Sequence, residues 1–302
     1  MPTSSPTPTP APPAPGPFDV RALQLKLLEI LDYFDAYCKK QGLRYSLCGG
    51  CLIGAVRHKG FIPWDDDVDI FMPRPDYERL AEIWNETADT SRYVFCRTDR
   101  SSNYHDGGAS VRDVNTTEIN RHSVDEDICH GIAIEIMPID GCPRSPFARA
   151  RQLFDACLFG IFNVQRPPDN KGRLVRTLTN LAYLLVKNPG TRFKIWKNAE
   201  RRMSRFPFDS SAEVTELIGA LHGMVLRHPK SDFDHTVDLD FEGRKFPVMA
   251  GYETYLRKIW GDYMALPPPE KRVAKHDSVY TSVTEPYARF KGTLYCVKEP
   301  RP

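Results

Sequence analysis

Four aspartates crowd the segment GFIPWDDDVDIFMP, residues 60–73, just before an apolar run that is typical of a β-strand. Carboxylates this close repel one another and destabilise the chain unless a cation or a proton neutralises them. Side chains alternate between the two faces of a strand, so Asp67 and Asp69 point the same way while Val68 and Ile70 point into the core. Two carboxylates on one face suit Mg²⁺, which prefers oxygen ligands and shares them with substrate phosphates. An aspartate-rich, solvated turn before an edge strand is the alternative interpretation.

Two further features favour a site over a turn. Gly49 and Gly50 lie where a short strand is predicted to end and a helix to begin, and glycines there let a phosphate approach the first N–H groups of the helix. Glu135 lies in the apolar strand GIAIEIMPIDG, where a charge is destabilising unless it is paired, exposed or bound to a metal. Taken singly, the glycines are also compatible with a tight turn, and Glu135 with an exposed sheet face.

Together, the glycine pair, the DxD strand and the third acidic strand residue resemble the nucleotidyltransferase superfamily. The stretch GGCLIGAVRHKGFIPWDDDVDIFMPRPDYERL, residues 49–80, resembles the signature of the LicD family. That family comprises phosphocholine and related phosphotransferases of bacterial cell-surface polymers and has relatives among fukutin-related proteins. The resemblance extends to GIAIEIMPIDGCP (131–143) and YETYLRKIWGDYMALPPPEKR (252–272), and it covers residues 20–276.

The family resemblance implies a role for each of these residues. Asp67 and Asp69 are similar to the metal-binding pair, and Glu135 corresponds to the third carboxylate, so these three form the predicted catalytic and metal-binding set. Gly49 and Gly50 are similar to the nucleotide-phosphate loop.

Three other residues complete the predicted nucleotide- and phosphate-binding set. Cys51 follows the glycines where relatives commonly have Ser or Thr, and a thiol is a poorer hydrogen-bond donor than a hydroxyl. Arg57 and His58 come after the glycine turn, where basic groups can meet substrate phosphates. A solvated basic turn is the alternative for this stretch.

The resemblance implies a phosphotransferase that depends on Mg²⁺ or Mn²⁺. It would move a phosphocholine or polyol-phosphate group from a CDP-linked donor to a hydroxyl of a glycan or lipid-linked polymer acceptor. Such a transfer needs charge neutralisation and alignment more than covalent catalysis. The same carboxylates would serve a nucleotidyltransferase that releases pyrophosphate, or a non-catalytic cation-binding module.

Helices and strands alternate to about residue 141, which favours an α+β fold with an α/β-type core and a mixed sheet. We predict a disordered, Pro-rich tail over residues 1–17. A nucleotidyltransferase-like catalytic core follows over residues 18–143. Residues 144–302 are predicted to be a mainly helical or irregular section that completes the same domain.

The net charge of +2 conceals an asymmetry. Between Arg144 and Arg205, 14 Lys and Arg residues stand against three acidic residues, a balance of +11, so the remainder carries −9. The helix predicted within residues 192–206 has an apolar stripe and many cations, so it could lie on an anionic membrane or pack on the body of the protein. We expect no nucleic-acid partner, because no nucleic-acid-binding module is visible.

Location is predicted from the apolar runs and the cysteines. The run LAYLLV falls far short of the roughly 20 residues that cross a bilayer, and we see no secretion signal. We therefore expect a cytoplasmic protein, with peripheral contact at the inner face of the membrane. The eight cysteines are best interpreted as free thiols, and Cys48-x-x-Cys51 lacks the second ligand pair of a zinc site.

Overall fold

The computed structural model describes residues 19–167, 172–219, 221–274 and 278–297. The predicted Pro-rich tail, residues 1–17, lies outside the described residues. The α-helices in the described ranges are α1 (Val20–Gln41), α2 (Gly49–Arg57), α3 (Arg74–Thr87), α4 (Pro146–Val164), α5 (Gly172–Leu185), α6 (Pro189–Met203), α7 (Leu221–Met224) and α8 (Tyr252–Trp260). The strands are β1 (Ser46–Leu47), β2 (Asp69–Pro73), β3 (Tyr93–Arg97), β4 (Ala109–Asp113), β5 (Thr117–Asn120), β6 (Ile132–Cys142), β7 (Glu213–Glu216), β8 (His228–Pro229), β9 (Thr236–Phe241), β10 (Arg244–Met249) and β11 (Ser278–Ser282).

The main sheet is mixed and has the order β3-β4-β6-β2-β1-β10-β9, with β7 added to β6 and β8 to β7. Strand β2 runs parallel to β6, and β1 runs parallel to β10. The remaining pairs are antiparallel, and β11 forms a separate small sheet with β5. This mixed sheet with flanking helices confirms the predicted α+β class.

The main core lies between the sheet and helices α1 and α3, both of which contact β6. The alternating isoleucines of β6, Ile132, Ile134 and Ile136, are all 0% exposed, so the period-2 pattern places them on the core face. Farther along β6, the buried Asp140 accepts two hydrogen bonds from Arg74 at 2.8 and 2.7 Å. This bidentate pair joins β6 to the start of α3.

The basic section folds around a second core, where α4 and α6 pack together. The apolar stripe of α6 is buried, with Trp196 at 2% exposure and Ala199 and Met203 at 0%. Packing on the body, rather than a membrane, therefore accounts for that stripe. None of the helices in the described residues has the length and apolarity that a bilayer span requires.

Four strands between residues 213 and 249 were not predicted from the sequence. Strand β7 extends β6, and the β9–β10 hairpin places Val248 opposite Leu47 of β1. The last third of the described chain therefore contributes strands to the same sheet that holds the acidic segment.

Candidate functional site

The acidic segment and Glu135 meet because β2 and β6 are parallel neighbours. Their register places Asp69 directly opposite Glu135, and the Glu135 N–H donates to the carbonyl of Val68 at 2.8 Å. Val68 and Ile70 are both 0% exposed, so Asp69 and Glu135 share the face that points away from the main core. Asp67 lies two residues before Asp69 and is likewise only half-buried. The structure thus places Asp69 beside Glu135, and the metal-binding role of Asp67, Asp69 and Glu135 stays a prediction.

The glycine turn lies against the same carboxylates. Strand β1 ends at Leu47, the Cys48 N–H donates to the Asp69 carbonyl at 3.0 Å, and α2 begins at Gly49 with φ of 55°. A Cβ on Gly49 would lie 2.7 Å from Asp69 Oδ2, and a Cβ on Gly50 only 2.2 Å from Asp65 Oδ2. Glycine is needed here because aspartate side chains occupy the space that a Cβ would take.

The first N–H groups of α2 lie where the sequence predicts that a phosphate binds. Cys48 occupies the N-cap position, and its side chain makes no capping hydrogen bond. The first N–H groups of a helix have no intrahelical acceptor, and the helix dipole favours negative charge there. Gly49 and Gly50 therefore begin α2 directly beside Asp69 and Asp65, and their role in phosphate binding stays a prediction.

Cys51 faces inward. Its thiol is buried and donates to the Asp67 carbonyl at 3.5 Å, while burial and the neighbouring Asp67 raise the pKa of the thiol well above its ordinary value. Such a thiol stays protonated and supports the backbone of the acidic segment. Its predicted phosphate contact stays a prediction.

Arg57 and His58 end α2 and contact the segment after α8. Arg57 donates to the carbonyls of Tyr263 and Ala265 at 2.9 and 3.1 Å, and its Nε donates to His58 Nε2 at 2.9 Å. Burial, and then the adjacent Arg57, lower the pKa of His58. These contacts join α2 to residues 263–265, and the predicted role of both residues in phosphate binding stays a prediction.

The carboxyl of Glu135 is perturbed by burial and by neighbouring charges. Burial and then Asp106, which lies within hydrogen-bonding distance, raise its pKa well above the ordinary value; Asp69 adds to the effect and Arg112 opposes it. Arg112 Nη2 lies 3.7 Å from Glu135 Oε1, and the side chain of Glu135 is still 31% exposed. A solute can therefore reach a carboxyl that is crowded by other negative charge.

The sequence analysis did not identify three residues of this region. Asp106 precedes β4 in the sequence DGG. That sequence predicts a turn but does not indicate that Asp106 lies near Glu135. Arg112 lies in β4 two residues after Ser110, which pairs with Glu135. Glu216 lies in β7 opposite Ile139 of β6. Ile139 follows Glu135 by four residues, so Glu216 and Glu135 lie on the same face of the sheet.

Glu216 is unusual because its carboxyl is desolvated without compensation. Burial raises its pKa to about 7. Its oxygens face Gly219 and Gly223, where a Cβ would lie 2.2 and 3.5 Å away. Among the described residues, no group donates a hydrogen bond to this carboxyl, although Glu216 contributes to the raised pKa of Tyr255, as does Asp69.

The donor chemistry of the site suits a hard divalent cation. Carboxylate oxygens are the ligands that Mg²⁺ prefers, and a cation would relieve the repulsion that raises the pKa of Glu135. Within the part of the chain that the structure describes, no three His, Cys, Asp or Glu side chains are arranged to bind one ion. Two protein carboxylates, Asp69 and Glu135, supplemented by donor phosphate oxygens, are the set that fits.

Comparisons with known proteins agree with this geometry. The profile described as "LicD/FKTN/FKRP, nucleotidyltransferase domain" matches residues 42–128, which include the glycine turn and the acidic segment. The chain is 31% identical over 270 residues to the lipopolysaccharide cholinephosphotransferase LicD of Haemophilus influenzae, covering 85% of this chain and 96% of that protein. The chain belongs to the LicD family.

Shorter matches are found with proteins of two other bacteria. Uncharacterized proteins of Rickettsia prowazekii and Rickettsia typhi are 37% and 36% identical to the chain over 59 residues, which is 20% of this chain and 22% and 19% of theirs. The predicted resemblance to the LicD family is thus confirmed, and for the Haemophilus protein it spans nearly the whole relative.

Proposed function

We propose that this LicD-family protein transfers a phosphocholine- or polyol-phosphate-type group from a CDP-linked donor to a hydroxyl of a cell-surface glycan or a lipid-linked precursor. The name of the Haemophilus relative supports a phosphocholine donor and a lipopolysaccharide acceptor. The observation that carries the proposal is the pairing of Asp69 with Glu135 beside the Gly49–Gly50 turn. Carboxylates next to an anion-binding helix start are what a charged diphosphate donor requires.

Within this proposal, a divalent cation, Mg²⁺ or Mn²⁺, binds between Asp69 and Glu135, which are paired across two strands. Asp67 stays the third predicted ligand, although in the described residues it does not complete a three-ligand site with them. When bound, the cation would neutralise the phosphate charge and stabilise the leaving group. The N–H groups at the start of α2 would hold the nucleotide phosphates of the donor. Arg57 and His58 lie at the other end of α2, where they position the segment 263–265.

The transfer is a displacement at phosphorus. The acceptor hydroxyl oxygen forms a new P–O bond, the P–O bond to the nucleotide breaks, and CMP leaves with the bonding electron pair. Glu135 would accept the hydroxyl proton, because its side chain is partly accessible and its pKa is raised above that of an ordinary glutamate. Arg112, 3.7 Å from Glu135, orients that carboxylate.

A nucleotidyltransferase reaction is the second candidate, favoured by the description of the matched domain. It would join a nucleoside monophosphate to a small molecule and release pyrophosphate. A non-catalytic cation-binding module is the third candidate. The presence of all three predicted carboxylates argues against it, with Asp69 and Glu135 in one strand pair and Asp67 just before it.

Product analysis tests the assignment. The protein is incubated with Mg²⁺ and CDP-choline plus a glycan acceptor, or with CTP plus phosphocholine, and the released CMP and pyrophosphate are quantified. The proposal expects CMP from the first mixture, with Asp69→Asn inactive and Glu86→Gln, an exposed carboxylate change on α3, fully active. Pyrophosphate from the second mixture alone would establish the nucleotidyltransferase instead.

We further propose that the acceptor is met at the cytoplasmic face of a membrane. The strongly basic stretch from Arg144 to Arg205 supports this location, because anionic lipids attract clustered Lys and Arg.

A further inference from the structure

Helix α5 presents an apolar stripe to solvent. Leu178, Leu181, Leu184 and Leu185 are 55%, 49%, 62% and 75% exposed. Residues spaced three, four and seven apart lie on one side of a helix, so these leucines form a continuous face. Exposed single leucines are ordinary on proteins, but a row of four along one helix indicates an interaction surface.

The opposite side of α5 contacts α4 and α6, and these contacts keep the four leucines on the solvent side of the helix. Thr179 is 2% exposed, and the Tyr183 hydroxyl donates to the Ile161 carbonyl of α4 at 2.6 Å. Arg192 of α6 lies over the Tyr183 ring at 4.7 Å and donates to the carbonyl of Val186 at 2.6 Å. The helix therefore cannot turn its leucines inward without breaking contacts with both α4 and α6.

The section of the chain that contains this stripe exposes many more cations than acids. Of the acids in the described part of residues 144–205, Asp155 is buried against Arg151 and Arg202, and Glu200 is buried against Arg97 and Lys197. Nine cations of the same section are exposed, including the Arg151 and Lys197 that pair with these acids: Arg144, Arg151, Arg173, Arg176, Lys187, Lys194, Lys197, Arg201 and Arg205.

We propose that α5 lies in the plane of an anionic lipid surface, with its four leucines in the boundary between headgroups and acyl chains. An exposed leucine row within a basic surface is the pattern of interfacial helices. A second copy of the chain fits less well, because joining two such surfaces would bring like charges together. The contact belongs to α5, since the stripe of α6 that the sequence suggested is buried.

This inference extends the membrane location in the proposed function but rests on different residues from the proposed catalytic carboxylates. Vesicle binding and CMP release from CDP-choline are therefore measured separately on the same preparations. A wild type that binds the vesicles but releases no CMP would refute the proposed function alone. A wild type that releases CMP but does not bind the vesicles would refute the α5 contact alone.

The test is co-sedimentation with phosphatidylcholine vesicles containing about 30% phosphatidylglycerol, compared with phosphatidylcholine alone. We expect the wild type to bind the anionic vesicles and to be released by about 0.5 M NaCl. The double variant Leu181→Glu, Leu185→Glu should bind roughly tenfold more weakly or worse. Leu25→Glu on α1, at 51% exposure, is the matched control and should bind as the wild type does.

Circular dichroism and retained CMP release establish that the double variant is folded. Equal vesicle binding by the folded double variant and the wild type would overturn the proposal. So would a wild type that ignores anionic vesicles, or a dimer in light scattering that the leucine substitutions dissociate. If the double variant does not fold, salt-sensitive binding of the wild type and quenching of an α5 label by spin-labelled lipid acyl chains decide the matter.

Discussion

Replacing Glu216 with Gln should stabilise the protein at alkaline pH and have little effect at acidic pH. The native carboxyl has a pKa of about 7, raised by burial from 4.5. The unfolded chain releases this proton near pH 4.5, whereas the folded chain holds it until about pH 7. The folded state thus binds more protons in this window, so wild-type stability falls as pH rises through it, and the full destabilisation remains above it.

The size of the effect follows from the difference between the two pKa values. Each pKa unit corresponds to 1.36 kcal/mol, so a shift from 4.5 to about 7 is worth about 3 kcal/mol. Glutamine has nearly the same shape and carries no charge. The variant should therefore exceed the wild type in free energy of unfolding by about 3 kcal/mol above pH 8. That difference should shrink toward zero near pH 4.5.

Urea unfolding of both proteins across this pH range measures the difference directly. Other perturbed acids, Glu135 among them, titrate in both proteins, so their contribution cancels in the comparison. Glu86→Gln, which removes an exposed carboxylate from α3, controls for the loss of one surface charge. A Glu216→Gln difference that does not change with pH, or a variant less stable than the wild type at pH 8, would refute the reasoning.

Three further predictions concern the site and the second core. Asp67→Asn should leave the urea midpoint unchanged and abolish CMP release; unchanged turnover would show that the acidic site is wrongly assigned. Gly50→Ala must displace the Asp65 carboxylate, since the new Cβ would lie 2.2 Å from Oδ2. We therefore expect the KM for CDP-choline to rise about tenfold. An unchanged KM would contradict the proposed role of this turn in binding the donor. Trp196→Ala should lower the free energy of unfolding by about 3–5 kcal/mol, because the ring is 2% exposed and packs against Phe159 and Phe193. A decrease of less than about 1 kcal/mol would show that the apolar stripe of α6 is not part of the core.

The local parts of this structure could be predicted because the signal for each lies within a few residues. The alternation around Glu135 identified a buried strand with one outward carboxylate, and the run from Asp65 to Asp69 identified the acidic segment. Parallel pairing of β2 with β6 then placed Asp69 beside Glu135. Family resemblance supplied the expectation that they meet; periodicity alone did not.

The remaining parts depend on contacts between distant segments. Val248 pairs with Leu47 about two hundred residues away, and nothing in the sequence of β10 indicates that neighbour. Glu216 and Asp106 have no motif, since their significance arises only from what surrounds them in the fold. Likewise, amphipathic patterning on α6 could not distinguish a face that packs on α4 from one that meets a membrane.

Mn²⁺ binding, followed by electron paramagnetic resonance in the presence of CDP-choline, tests the central claim most directly. If Asp69 and Glu135 share a divalent cation with the donor phosphates, the wild type should bind Mn²⁺ more tightly with the donor than without it. Asp69→Asn should weaken that binding roughly tenfold or more, while Glu86→Gln should match the wild type. Equal Mn²⁺ affinity in Asp69→Asn and the wild type would contradict the account.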